Sequence, residues 1–126
     1  MPILNWYRKH DLDRQLTWLE RTGAGAVGVD CSTLYGARRW REVRSALAYI
    51  RTVLPAAELH VYGASSAERV DELVLFDRVV IYTARPAALT RGRQVLDEDL
   101  RPRSGPEDPG LCLLTSLGHL LARLSR

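Results

Sequence analysis

Three short apolar runs, each preceded by a longer stretch with apolar residues at every third or fourth position, leave this chain very few architectures. The runs are Ala26 to Val29, Leu59 to Tyr62 and Arg78 to Tyr82, the last holding Val79, Val80 and Ile81 in series. Runs of this length suit strands buried on both faces, and strands alternating with helices make a parallel sheet covered by those helices. Ile3 to Tyr7 offers a further short strand, interrupted by Asn5 and Trp6. The expected fold is therefore α/β: a parallel sheet of three to four strands with alternating helices, half-barrel-like or small Rossmann-like, plus a C-terminal helix. At 126 residues the chain reads as a single domain, able to bury a core without disulfides or a structural metal.

The helical stretches are defined by their apolar faces. Leu12, Leu16 and Leu19 predict a helix over Asp11 to Arg21, ended by Thr22-Gly23. Trp40, Val43, Leu47, Ile50 and Leu54 form one stripe of a longer helix, Ala37 to Leu54, stopped by Pro55. Arg38, Arg41, Arg44 and Arg51 are expected on its opposite, solvated side. Ser65-Ser66-Ala67-Glu68 has a capping-box pattern, with Ser65 and Glu68 each satisfying a free backbone N–H. Beyond Pro86 the pattern weakens to a short helix or turn within Ala87 to Leu100. Arg101 to Gly110 carries three prolines and two glycines and reads as a loop. Asp108-Pro109 then opens a last helix, Leu111 to Leu124, with leucines enough to cover a core or to bind a partner.

Composition excludes several classes. No apolar run approaches the roughly 20 residues of a bilayer span. The first residues lack a charged region followed by an apolar one, so a cytoplasmic protein is expected. Cys31 and Cys112 are far apart in the chain and read as free thiols. With His10, His60 and His119 they offer no zinc-ligand spacing, so neither metal nor cofactor is implied. The net charge is +3, and Lys9 is the only lysine. Arginine's planar fork suits phosphates, although a GC-rich genome would favour arginine as well.

In both arrangements ligands bind beyond the carboxyl ends of the strands. Arg8, Lys9 and His10 follow the first run, and Asp30, Cys31, Ser32, Thr33 and Tyr35 the second. Gly63, Ala64, Ser65 and Ser66 follow the third, and Tyr82, Thr83 and Arg85 end or follow the fourth. From these the candidate ligand-binding residues are Asp30, Ser32, Thr33, Gly63, Ser65, Ser66, Tyr82 and Arg85; no catalytic residue is assigned. Polar turn residues follow most strands, which is the plainer explanation of the same pattern. Asp30 can hold a base edge, a ribose hydroxyl or a proton, or can close an Asx-turn. Cys31 has no histidine near it in sequence and reads as a buried thiol. Gly63 to Ser66 leaves a strand and opens a helix, which suits an anion as well as simple capping. Gly23-Ala24-Gly25-Ala26-Val27-Gly28 matches the dinucleotide-binding string, yet it follows a helix and enters a strand, the reverse of the order that motif needs.

The middle of the chain resembles the C-terminal half of the tRNA-guanine transglycosylase barrel family. The resemblance rests on the strand Ala24 to Val29, on the helix closing at Leu54-Pro55 before Leu59-His60-Val61-Tyr62-Gly63, and on Tyr82-Thr83-Ala84-Arg85-Pro86 with Arg91-Gly92. It covers roughly Thr22 to Arg93. It implies that Gly28 lies near a base-binding strand end and Gly63 near the substrate pocket. Tyr82 stands where the family has its nucleophilic aspartate, and the family's cysteine-rich zinc site has no counterpart. The resemblance thus implies a half-barrel without the family's chemistry, completed by dimerisation.

Two functions of different class follow. One is a nucleobase-, nucleotide- or nucleic-acid-binding module lacking transglycosylase activity. The other is a structural or protein-interaction subunit of a homo-oligomer or larger assembly, joined through the last helix or a sheet edge and not through a membrane. An enzyme acting through Asp30 is a third, weaker reading.

Overall fold

A computed structural model describes residues 1–6, 8–31, 37–64 and 66–125. In chain order the elements are β1 (Ile3–Leu4), α1 (Lys9–Thr22), β2 (Ala26–Asp30), α2 (Ala37–Val53), β3 (Glu58–Tyr62), α3 (Ala67–Leu73), β4 (Val79–Tyr82), α4 (Arg85–Arg91), β5 (Gln94–Leu96), β6 (Pro102–Ser104) and α5 (Pro109–Leu124). They form two compact units. The first comprises residues 1–63 and 76–82, and the second residues 64–75 and 83–126.

The first unit is built on a parallel sheet with the strand order β1-β2-β3-β4. The chain is therefore α/β, with helices alternating along a four-stranded parallel sheet and a helix at its end. The order never reverses, so the sheet is half-barrel-like and lacks the switch point of a Rossmann sheet. Right-handed crossovers in such an order place successive helices on one face, and α1 and α2 meet there, with the Tyr49 hydroxyl donating to Asp13. Their inward stripes, Leu12, Leu16, Leu19, Trp40, Val43, Leu47 and Ile50, are buried, as are Leu4, Val27, Val29, Leu59 and Val61 on the strands.

Three local features differ from the sequence expectation. β1 ends at Leu4, before Asn5 and Trp6, because the Gln15 side chain takes up the backbone of Asn5, accepting from its N–H and donating to its carbonyl; Tyr7, the expected end of this strand, lies outside the described residues. α1 begins two residues earlier than its leucines suggest, at Lys9, since the Asp11 carboxylate accepts from the Arg8 N–H. Arg51 does not join a solvated arginine face. Its guanidinium donates to the carbonyls of Leu54, Pro55, Ala57 and Asp77, closing the end of α2 and fixing the approach to β4.

The second unit pairs β5 with β6 antiparallel, Val95 opposite Arg103. The stretch 101–110, expected to be loop throughout, therefore contains a strand, and 87–100 holds the end of α4 and its partner strand. Neither strand exceeds three residues, too short for a readable period, and Pro102 fits an edge where no N–H is needed. Gly105 is required by close approach: a Cβ there would lie 2.7 Å from Val95 Cγ1 and 3.1 Å from Cys112 Sγ. Side chains of α5 complete the hairpin's hydrogen bonding. The buried Ser116 hydroxyl accepts from the Leu96 N–H at 2.9 Å, and His119 Nδ1 donates to the Leu96 carbonyl at 2.7 Å. Arg123 grips Asp71 of α3 through two bonds of 2.6 Å.

Candidate functional site

Alternation along the strands gives the first unit's sheet a second face, opposite α1 and α2. Register places Ile3, Gly28, His60 and Val80 in one row of that face, and Asp30, Tyr62 and Tyr82 in the row at the carboxyl ends of β2, β3 and β4. Two of the residues named from the sequence, Asp30 and Tyr82, thus share one edge with Tyr62 between them.

The two tyrosines form an aromatic platform. Their rings stack at 4.4 Å between centroids with planes 10° apart, and Tyr82 remains 41% exposed. Gly28 makes room for this: a Cβ there would meet Tyr62 Cε2 at 3.3 Å and Ile3 Cδ1 at 2.7 Å. Gly28 is therefore covered by the chain's own side chains. The Tyr82 hydroxyl lies 2.9 Å from His60 Nδ1, while His60 Nε2 lies 3.4 Å from Glu58 Oε1. A carboxylate only accepts, so a proton on Nε2 directs that nitrogen to Glu58 and leaves Nδ1 to accept from the phenol. Glu58, His60 and Tyr82 form a hydrogen-bonded chain that holds the outer ring in place. Asp30 is exposed at the far end of the row.

Other expected site groups have local duties. The Gly63 N–H donates to the Tyr82 carbonyl at 2.9 Å, extending the ladder, so this amide is engaged rather than offered to an anion. The cap of α3 is Ser66, whose hydroxyl accepts from the Arg69 N–H, instead of Ser65. Ser66 and Arg85 belong to the second unit, where Arg85 opens α4 and its N–H donates to the Thr83 hydroxyl. Ser32, Thr33 and Ser65 lie outside the described residues. Gly23 and Gly25 do lead from α1 into β2, the order that excludes a dinucleotide motif.

Sequence reasoning passed over Glu58, His60 and Tyr62. Their signal was available, because positions two apart on a strand share a face, and Glu58, His60 and Tyr62 are such a series. A separate cleft of about 390 Å³ opens between β1 and α1, lined chiefly by Ile3, Leu4, Gln15 and the exposed Trp18. Among the described residues no cluster of three His, Cys, Asp or Glu could hold a metal ion, and no helix is long and apolar enough to cross a membrane. No protein-family model matches the chain, and no curated protein or solved structure matches it.

Proposed function

We propose that the first unit binds a nucleobase, free or within a nucleotide or nucleic acid, at the carboxyl ends of β2, β3 and β4. The observation that carries this reading is the Tyr62–Tyr82 stack with its exposed outer ring. Every base offers a π face, and stacking on an aromatic side chain is worth about 1–3 kcal/mol per base. Asp30, at the same edge, supplies an acceptor for a base N–H or a ribose hydroxyl. The transglycosylase-like resemblance points to the same edge and to the same type of ligand. Tyr82 stands in place of the family's carboxylate nucleophile, and its hydroxyl is bonded to His60, so the proposed activity is binding without transfer.

Thermal unfolding with guanine, adenine and their nucleoside monophosphates tests this. A ligand that binds the native state raises the Tm. The expected result is a rise of several degrees with at least one base, abolished in Tyr82→Ala and largely kept in Tyr82→Phe, which retains the ring. Asp30→Asn should change which base is preferred. Absence of any rise in the native protein, or equal binding by Tyr82→Ala, would sink the reading.

A further inference from the structure

Glu58, His60 and Tyr82 do more than steady a ring, because the direction of their hydrogen bonds fixes what the phenol oxygen can offer. The His60 side chain is only 14% exposed, so its ring nitrogens are answered mainly by the groups beside them. Nδ1 lies 2.9 Å from the Tyr82 hydroxyl, and Nε2 lies 3.4 Å from Glu58 Oε1. A carboxylate accepts and never donates. Nε2 therefore carries the ring proton, Nδ1 presents a lone pair, and the Tyr82 hydroxyl spends its single proton inward. What the phenol oxygen shows outward is lone pairs alone. In the row of His60, β2 presents Gly28 and β1 presents Ile3, neither of which brings a side chain able to reverse this order.

We propose that this relay makes the Tyr82 oxygen a fixed acceptor, so that the platform selects ligands bringing an N–H or O–H to the edge of its outer ring. The class this names is a nucleoside whose amino group or ribose hydroxyl reaches the phenol, with carbonyl and phosphate oxygens turned away from it. The inference rests on the base-binding reading and adds the polarity of the contact. The rest of the face agrees. Glu58 and Asp30 are carboxylates, which also only accept, and none of the four strands of this sheet contains a Lys or Arg. A free phenol rotates its proton to suit either kind of partner. One committed to His60 cannot do so without breaking that bond, and a ligand carbonyl would then meet it acceptor to acceptor. Such a built-in clash is how a site rejects a near-isosteric competitor. Glu58 and His60 act through Tyr82 and are positioning residues.

One test needs no ligand. Long-range proton–nitrogen NMR spectra of the full chain at about pH 8, where an ordinary histidine is neutral, distinguish the ring nitrogens of His60. The Nε2–H tautomer is expected; the Nδ1–H tautomer or a doubly protonated ring would overturn the proposal. The other test is a cycle between Tyr82 and the ligand. Adenosine and guanosine are titrated by calorimetry beside inosine and xanthosine, in which a carbonyl replaces the amino group. The 2′- and 3′-fluoro forms, in which fluorine replaces a hydroxyl, complete the set. At least one replacement should weaken binding to the native protein by about fivefold or more, the worth of one net hydrogen bond. The same gap should close in Tyr82→Phe, which keeps the ring, and narrow in His60→Leu, whose phenol can serve either partner. If His60→Leu does not fold, Tyr82→Phe and the tautomer decide. Equal affinity for every form, or a gap that persists in Tyr82→Phe, would overturn the proposal and leave the base-binding reading standing. If neither nucleoside binds, or Tyr82→Ala binds as the native protein does, the base-binding reading itself fails and carries this inference with it.

Discussion

The two units hold their strands by different means. In the first, backbone pairs with backbone across four parallel strands, and apolar stripes on α1 and α2 cover one face. In the second, three-residue strands are held by single polar side chains: Ser116 and His119 on Leu96, and Asp97 and Arg123 on the backbone of the turn that joins them. Apolar burial is spread over many contacts, and losing one atom removes a fraction of it. A buried hydrogen bond made by one side chain has no substitute when that side chain is cut back. The first unit should therefore respond to side-chain volume, and the second to the identity of a few polar atoms.

The largest effect should come from Leu47→Ala. Leu47 is fully buried on the inner stripe of α2, and truncation of such a leucine costs about 2–5 kcal/mol. Trp6, Trp18 and Trp40 all belong to the first unit, so tryptophan fluorescence in urea reads that unit's midpoint directly. A drop of this size is expected there. A loss below about 1 kcal/mol would mean that the stripe repacks freely, and the contrast between the units would fail on this side.

Ser116→Ala is the matching test of the second unit, and a smaller one. It removes a single oxygen, yet leaves the Leu96 N–H buried without its partner, at a cost of about 1–3 kcal/mol. The Leu96 amide is the direct reporter: its hydrogen exchange should accelerate about tenfold or more, following that cost. Ser116→Thr keeps the hydroxyl and should preserve protection if the extra methyl is accommodated. Unchanged exchange in Ser116→Ala would show that β5 does not depend on α5 for this bond.

The same contrast explains what could be read beforehand. Val79-Val80-Ile81 and the Trp40-to-Leu54 stripe announce their elements because apolar burial imposes a period on the sequence. The order β1-β2-β3-β4 is not in any local stretch; it follows from which strands meet. Tyr82 and Asp30 were nameable as strand ends, but the stack of Tyr82 on Tyr62 required the register. The hairpin escaped altogether. Its organising residue, Asp97, is one carboxylate in a polar stretch, and its strand β6 consists of Pro102, Arg103 and Ser104, which as a sequence resembles a loop. A periodic pattern marks structure made by many residues, while structure made by one side chain leaves no period.

The smallest effect at neutral pH, and the most diagnostic in acid, belongs to Asp97. One of its oxygens accepts from the Arg101 and Asp99 amides at 3.0 and 2.9 Å, and the other accepts from Arg103. The Arg103 guanidinium first, and the amides after it, hold this carboxyl down to a pKa of about 2, below the roughly 3.9 of an unperturbed aspartate. A carboxyl lowered by folding contributes stability above its unfolded value, and that contribution is lost as the pH falls through the folded value. The second unit should therefore weaken as the pH falls from about 4 to about 2. Arg103 is 70% exposed, so solvent and salt screen the pair and keep its neutral-pH worth small. Asp97→Asn retains an oxygen for the two amides but abolishes the ion pair. Amide exchange at Leu100 and Arg101, followed against pH, should show native and variant protein differing above pH 4 and converging near pH 2. A difference that persists undiminished at pH 2 would assign the turn to the neutral hydrogen bonds alone, and the single-atom account of the second unit would then rest on Ser116 and His119.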